Sequence, residues 1–336
     1  MIFYLGFLTP ESNRRAIELN VNDDALKETR VDGISAIFNS MKRLFGPVHV
    51  LTENGKSKFG LILLLAMVAF AIVGIFYTPY APNAYLFKKS MPPSYNHLLG
   101  TTGYGQDVFS QLLAGAAPTL MIGFSVGILG TLISVFVGVV SGFASKKVNE
   151  IINGIVNVFL VIPGVLLIML FGAYFLGLKQ NMGYLPTVII LISTGWAFGA
   201  RTFRSVTLSV SKRDYILSSI LIGERKLSII FRQIIKSIMP VIVSNFFFTA
   251  MYGTMGLTFV EYLGVGNLQQ VNWGTMLYWA INNEAYLVGE WWWILPPAIL
   301  ISVLMFAFIL LNFGLDEIAN PALKVFKKKK KVIERT

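Results

Sequence analysis

Histidine, cysteine and paired carboxylates supply most catalytic and metal centres. This chain of 336 residues offers very few of them: two histidines, His49 and His97, and no cysteine. The topology derived below puts the two histidines on opposite sides of a membrane, so no His-based triad or metal cluster can be assembled. Without cysteine there is neither a disulfide framework nor a thiolate metal site. The tripeptide Gly55, Lys56, Ser57 has the ending of a phosphate-binding loop, but that motif needs a glycine five residues earlier, where Val50 stands, and a strand leading in. The chain therefore has no ATP site of its own, and any uphill movement of a solute must draw energy from another chain.

The elements that could position a function are apolar helices. Hydrophobic residues make up 55% of the chain and charged residues 13%, about half the charged fraction of an ordinary soluble domain. A spanning helix needs roughly 20 largely apolar residues, and six segments qualify: about 59–77, 118–143, 151–178, 184–203, 238–262 and 291–315. The expected fold is an all-α integral membrane bundle of six transmembrane helices. Ionisable residues are almost absent from the middle of these spans, which argues against an ion-coupled carrier or a voltage sensor. Glu261, near the outer end of the fifth span, is the main exception and reads as a loop contact or a snorkelling acid.

The net charge of +11 sits between spans and at the ends, so it reads as a topology signal and not as a nucleic-acid surface. Lys42, Arg43, Lys56, Lys58, Lys146, Lys147, a cluster between the fourth and fifth spans and the run Lys327 to Lys331 fall on one side. The alternate loops hold only Lys88, Lys89 and Lys179, which makes both termini cytoplasmic. Residues 1–55 read as a polar cytoplasmic extension, 56–324 as the transmembrane domain and 325–336 as a basic tail anchored on lipid headgroups. The opening MIFYLGFLTP lacks a basic n-region and is a poor signal peptide. On the outer side, Asp107 can N-cap an amphipathic turn feeding the second span. Trp273, Tyr278, Trp279, Tyr286 and the triplet Trp291 to Trp293 read as an interfacial aromatic belt. The pairs Gly123 with Gly127, Gly138 with Gly142 and Gly195 with Gly199 would let helices approach closely.

Between the fourth and fifth spans, about 205–237, the chain stops crossing the membrane. Asp214, Tyr215, Ile216, Leu217, Ser218, Ser219, Ile220 and Leu221 form a short run behind an acid able to cap a helix, and Gly223 permits a sharp turn into Glu224 and Arg225. Leu227, Ile230, Phe231, Ile234 and Ile238 then recur at helical spacing, with Arg225, Arg232 and Lys236 on the opposite face. The result is a cytoplasmic helix-turn-helix with more apolar surface than a solvated loop should carry. Physics alone leaves two readings: an interfacial helix on anionic lipid, or an apolar tip that docks into a groove on a soluble partner.

Residues 215–240 resemble the EAA loop of ABC transporter permeases, which runs E-A-A, three residues, Gly, then I-I-x-R and I-L-P. Ser218 and Ser219 stand at the two alanines, Gly223 at the glycine, Ile229, Ile230, Phe231 and Arg232 at the next block, and Met239 and Pro240 at the end. Leu217 replaces the acid. Residues 92–115, PPSYNHLLGTTGYGQDVFSQLLAG, together with Gly264 to Gly266, Trp273 to Leu277 and Gly314 to Leu323, resemble the C-type subunit of dipeptide/oligopeptide permeases. Departures from that pattern are Thr102 for Asp, Gln106 and Gln111 for Arg, and Asn267 to Gln270 for a proline-containing turn.

The resemblance implies a non-enzymatic permease subunit of an ATP-driven, binding-protein-dependent importer in the cell membrane. Its solutes would be di- or oligopeptides, or alternatively oligosaccharides. The expected partners are a second homologous permease, two ATP-binding subunits carrying ATP and Mg, and an extracytoplasmic solute-binding protein. It assigns Asp214 to Leu221 with Gly223, Glu224 and Arg225 to ATPase coupling, and leaves Asp107, Glu284 and Glu290 as outer partner contacts. A secondary carrier or membrane scaffold of similar shape, working without an ATPase, is the alternative.

Overall fold

The computed structural model describes residues 54–178 and 183–319. His49, the MIFYLGFLTP opening, most of the polar extension, Lys179 and the basic tail lie outside them. The described chain is helical: α1 Gly55–Phe76, α2 Val108–Phe143, α3 Lys146–Val161, α4 Gly164–Gly177, α5 Tyr184–Val210, α6 Asp214–Leu221, α7 Lys226–Tyr262, α8 Trp273–Asn282 and α9 Trp291–Ala319. Four of these, α1, α2, α7 and α9, are long and apolar enough to cross a membrane, and the α3–α4 pair makes five if it counts as one broken span. The protein is a multi-span membrane bundle. Helices suit this setting because every backbone N–H and C=O is satisfied within the segment.

Three expected spans differ from the sequence reading. The fourth, 184–203, folds within α5, but α5 is not among the helices apolar enough to cross a membrane by length and composition. The third is not one straight helix: α3 and the segment 166–175 of α4 are bent by 73°. Pro163 lacks an N–H and pushes Ile162 into extended backbone (φ −71°, ψ 119°), which ends α3. The second begins ten residues earlier than expected, because α2 runs unbroken through Pro118 for 36 residues. Buried Val108, Leu112, Leu113 and Ala116 hold its first turns, and Trp273 Nε1 donates to the Leu112 carbonyl at 3.0 Å. That packing outweighs the single bond that Pro118 removes.

At the centre, α2 packs along both α5 and α7, while α1 lies against α9 and α2. The three glycine pairs all fall at helix contacts. Gly123 and Gly127 face Thr254 and Ala250 of α7, Gly138 and Gly142 face Phe203 and Thr207 of α5, and Gly195 and Gly199 face Tyr252 and Ser134. Polar side chains tie the same interfaces. Asn245 Nδ2 of α7 donates to Thr131 Oγ1 of α2 at 3.0 Å, and Ser134 Oγ of α2 donates to the Trp196 carbonyl of α5 at 2.8 Å. In lipid such contacts and close packing replace the hydrophobic driving force.

The aromatic belt is only partly a belt. Trp273 and Trp293 are fully buried in the core beside α2, and Trp292 donates Nε1 to the Thr101 carbonyl at 3.1 Å, whereas Trp291 and Tyr286 are exposed. Trp273 and Trp292 reach carbonyls, which lets an indole leave the interface, whereas Trp293 Nε1 has no hydrogen-bond partner among the described residues.

Substituting Gly138 tests this packing, because a Cβ there would lie 2.5 Å from Phe203 Cβ and 2.6 Å from the Ala200 carbonyl oxygen. Gly138→Ala should destabilise the detergent-solubilised protein by about 1–3 kcal/mol in a thermal or denaturant melt. Gly154→Ala, where nothing lies within 4 Å, should not destabilise it.

Candidate functional site

The helix-turn-helix expected between α5 and α7 is present. α5 continues to Val210, α6 occupies Asp214–Leu221, and Gly223 makes the turn at φ +78°. In this left-handed region a side chain would be strained. Asp214 is not the cap: Arg213 takes the N-cap position without a side-chain bond, and Asp214 sits in the first turn, where its charge still favours the helix N-terminus.

One face of α6 is anchored and the other is open. Ile216 is fully buried in a cluster with Val139 of α2, Phe203 and Val210 of α5, and Ile229, Ile234 and Ile238 of α7. Ser219 is also buried. Asp214, Tyr215, Leu217, Ser218 and Ile220 are exposed, and the tip residues Leu221 and Ile222 are 86% and 82% exposed. Gly223 and Arg225 are exposed as well, and Glu224 is half-buried. Ile222 belongs to this surface although the sequence reading omitted it. Its place in the apolar run just before Gly223 was the available signal.

The buried face of α7 also differs from expectation. Leu227 and Phe231 are exposed, whereas Ile229, Ile234 and Ile238 are buried. Residues five apart lie about 140° apart on a regular α-helix. A π turn over Ile230–Ile234 winds the backbone more slowly and returns Ile234 to the face of Ile229.

A polar clasp closes the turn. Gln233 Nε2 donates to Ser219 Oγ at 2.7 Å and to Glu224 Oε2 at 2.9 Å, and Ser228 Oγ donates to Glu224 Oε1 at 2.6 Å. Tyr215 and Ser237 join their hydroxyls at 2.9 Å. Glu224 is thus the acid that braces the hairpin in a chain with Leu217 where the resembled motif has its acid. Of these partners, Ser228, Gln233 and Ser237 carried no pattern that periodicity could detect.

At the other end of the bundle, the three acids expected to meet an outer partner have separate fates. Asp107 is buried, caps α2 by accepting from Ser110 N at 2.8 Å, and lies 2.8 Å from His97 Nδ1. Glu290 is buried too, and only Glu284, at φ +53°, is exposed. Glu261 is buried and accepts from Asn272 Nδ2 at 3.3 Å, so it contacts the 263–272 loop and does not snorkel.

A third feature is a cavity of about 910 Å³ bounded by α3, α4, α5, α7 and α9. Phe159, Ile168, Tyr252, Met255 and Phe306 form much of its wall, and Tyr252 meets Thr194 at 2.6 Å between hydroxyls. The wall is mainly apolar. Among the described residues no group of three or more His, Cys, Asp or Glu could hold a metal.

Residues 130–325, more than half of the chain and including the hairpin, match the family described as "Binding-protein-dependent transport system inner membrane component". The chain belongs to this family. Among its relatives, the dipeptide transport system permease protein DppC of Bacillus subtilis is 29% identical over 276 residues, covering 82% of this chain and 84% of that protein. The oligopeptide transport system permease protein OppC of the same organism is 28% identical over 274 residues, covering 81% and 87%. OppC of Mycobacterium tuberculosis (strain H37Rv) is 26% identical over 263 residues, covering 78% and 88%. In fold, the chain resembles the MetNI methionine ABC transporter in an inward-facing crystal form, with a TM-score of 0.50 at 20% identity over 62% of this chain and 94% of the other. An inner membrane component of such a system is a transport subunit, and the absence of a catalytic constellation in the sequence follows from that role.

The clasp makes a specific prediction for this inner membrane component. Glu224→Ala removes the acceptor of two hydrogen bonds, one acceptor oxygen per bond, and should weaken the hairpin by about 1.5–3 kcal/mol. Hydrogen exchange of the amides between Ser218 and Gln233 should accelerate correspondingly, with exchange in α2 unchanged.

Proposed function

We propose that this chain is one of two permease subunits of an ATP-driven importer, that its solutes are di- and oligopeptides, and that α6 is the coupling helix on which an ATPase subunit acts. The observation that carries the proposal is the two-sided character of α6. Its inner face is keyed to the ends of α2, α5 and α7, while Leu217, Ile220, Leu221 and Ile222 offer an apolar tip outside the bundle. An apolar tip flanked by Arg213, Arg225 and Lys226 suits a groove on a soluble partner, in the helix-in-groove mode.

In this reading the six crossings are α1, α2, the bent α3–α4 pair, α5, α7 and α9. The 27 residues of α5 extend about 40 Å, enough for a hydrocarbon core of about 30 Å. Its Arg201 and Arg204 would lie at the inner interface, where they donate to Asn157 Oδ1 at 2.6 Å and Asn149 Oδ1 at 2.8 Å of α3. Lysine and arginine distribution supports cytoplasmic termini, with residues 1–55 and 325–336 flanking the transmembrane domain 56–324. Lipid headgroups would meet the basic flanks.

The second permease would close the open side of the apolar cavity, and a solute-binding protein would deliver cargo from outside. ATP and Mg would be held by the two ATPase subunits, and their closure would move α6. Because Ile216 is locked among three helices, such a movement would tilt α2, α5 and α7 and exchange inward- and outward-facing states. The names of DppC and OppC put peptides first among solutes. An apolar wall with few fixed polar groups supports passage of varied side chains, with selection made by the binding protein.

The exposed tip allows a direct test. Leu221→Glu with Ile222→Glu should leave membrane insertion and the thermal melt unchanged, because neither side chain is buried, while reducing co-purification of ATPase subunits and ATP-dependent uptake at least tenfold. Gly223→Pro, which cannot hold φ +78° and loses the Gly223 N–H bond to the Ile220 carbonyl, should distort the hairpin itself and reduce association and uptake as well. Full association and uptake in these variants, or uptake independent of ATP, would contradict the assignment.

A further inference from the structure

The loops at the end of the bundle opposite the hairpin enclose a second pocket, about 370 Å³, whose lining includes Tyr85, Tyr104, Gln106, Gln111, Gln270 and Trp279. None of its described lining residues is charged. It is a built site. Gln106 and Gln111 are each 7% exposed, and their amides are joined by Gln111 Nε2 donating to Gln106 Oε1 at 2.9 Å and to the Pro82 carbonyl at 3.2 Å. Thr102 Oγ1 approaches the same Gln106 Oε1 at 3.5 Å. The opposite wall is braced by Trp279 Nε1 donating to the Leu268 carbonyl at 3.2 Å and Thr275 Oγ1 donating to the Gln270 carbonyl at 2.9 Å.

Among the described residues, the Nε2 donor of Gln106 and the Oε1 acceptor of Gln111 have no protein partner, on two adjacent and nearly buried amides. A donor beside an acceptor matches the two ends of an amide, whether a peptide group or an Asn or Gln side chain. The tyrosine and tryptophan walls suit its flanking carbons. Thr102, Gln106, Gln111 and the 267–270 turn are also the positions at which this chain departs from the pattern it resembles, and the fold gathers them at one place. The departures at Thr102, Gln106 and Gln111 replace charged groups with neutral ones, so the pocket selects an uncharged ligand.

We propose that this pocket receives an uncharged, amide-presenting turn of the extracytoplasmic solute-binding protein, an inference that rests on the importer reading above. The pocket shares no lining residue with the 910 Å³ cavity, which lies among α3, α4, α5, α7 and α9. A docking partner therefore fits it better than a solute in transit. A volume at the low end of ligand sites admits the tip of a turn and not a folded surface. Of the outer acids, Asp107 and Glu290 are buried and exposed Glu284 does not line the pocket, which leaves recognition here to neutral groups.

The test titrates the assembled complex in lipid nanodiscs with the fluorescently labelled binding protein of its own system, at low and at high salt. Gln106→Ala with Gln111→Ala should weaken docking about tenfold, for two lost hydrogen bonds, by the same factor at both salt concentrations, while basal ATPase activity is unchanged. Because that pair also braces the loops, Gln269→Lys serves as a second variant: it is exposed at the pocket and should weaken docking without altering the melt. Docking equal to wild type in both variants overturns the inference and leaves the importer reading intact. Failure of the wild-type complex to bind the protein overturns both. Saturable binding of the uncharged peptide N-acetyl-alanyl-alaninamide in the absence of the binding protein, lost in the double variant, would assign the pocket to free solute and also overturn it.

Discussion

The structure depends on one apolar contact, the insertion of Ile216 among Val139, Phe203, Val210, Ile229, Ile234 and Ile238. An eight-residue helix is too short to be stable alone in water. Burying one isoleucine contributes about 1.5–3 kcal/mol, enough to hold α6 in place once Gln233, Ser219 and Glu224 fix the turn behind it. Because the other six members of this cluster belong to three long helices, α6 cannot shift without either opening the cluster or carrying the ends of α2, α5 and α7 with it. A small element at one end of the bundle is thereby given leverage over the rest.

The rest of the bundle is built to respond as rigid pieces. Glycines bring α2 into backbone contact with α5 and α7, and Asn245, Thr131 and Ser134 tie these helices where lipid offers polar groups no partner. The bend at Pro163 turns α4 away from the line of α3 and opens space between them and α7 and α9, where the apolar cavity lies. The extramembrane loops at the far end are by contrast held by polar bonds. The Asp107 cap with its His97 contact and the Asn272 capping box anchor short segments that hydrophobic packing alone would leave loose.

Hydropathy made the membrane class, most of the crossing segments and the hairpin legible, because period and charge distribution are properties of the sequence itself. Gly223 was readable for the same reason: a glycine after an apolar helical run has few other uses. The π turn at Ile230–Ile234 was not readable, since a regular 3.6 period assigned Leu227 and Phe231 to a face that the wider turn leaves exposed. The buried Trp273 and Trp293 were read as interfacial because composition cannot say which indole finds space within the core. Asp107 was correctly seen as a cap, yet its burial depends on His97 and Ser110 closing over it. The Ser219, Glu224, Ser228 and Gln233 clasp needed the turn to be folded before the four residues could meet.

The central claim is that movement of α6 reaches the cavity through Ile216. The chain has no native cysteine, so a single Met255→Cys substitution places one thiol in the cavity wall. Its rate of labelling by a water-soluble maleimide in the assembled complex, with and without ATP, reads the state of the cavity directly. An ATP-dependent change in rate is expected, and it is lost when Ile216 is also replaced by Ala, with the complex still assembled. A change that persists in the Ile216→Ala background, or no ATP dependence in either, would contradict the claim.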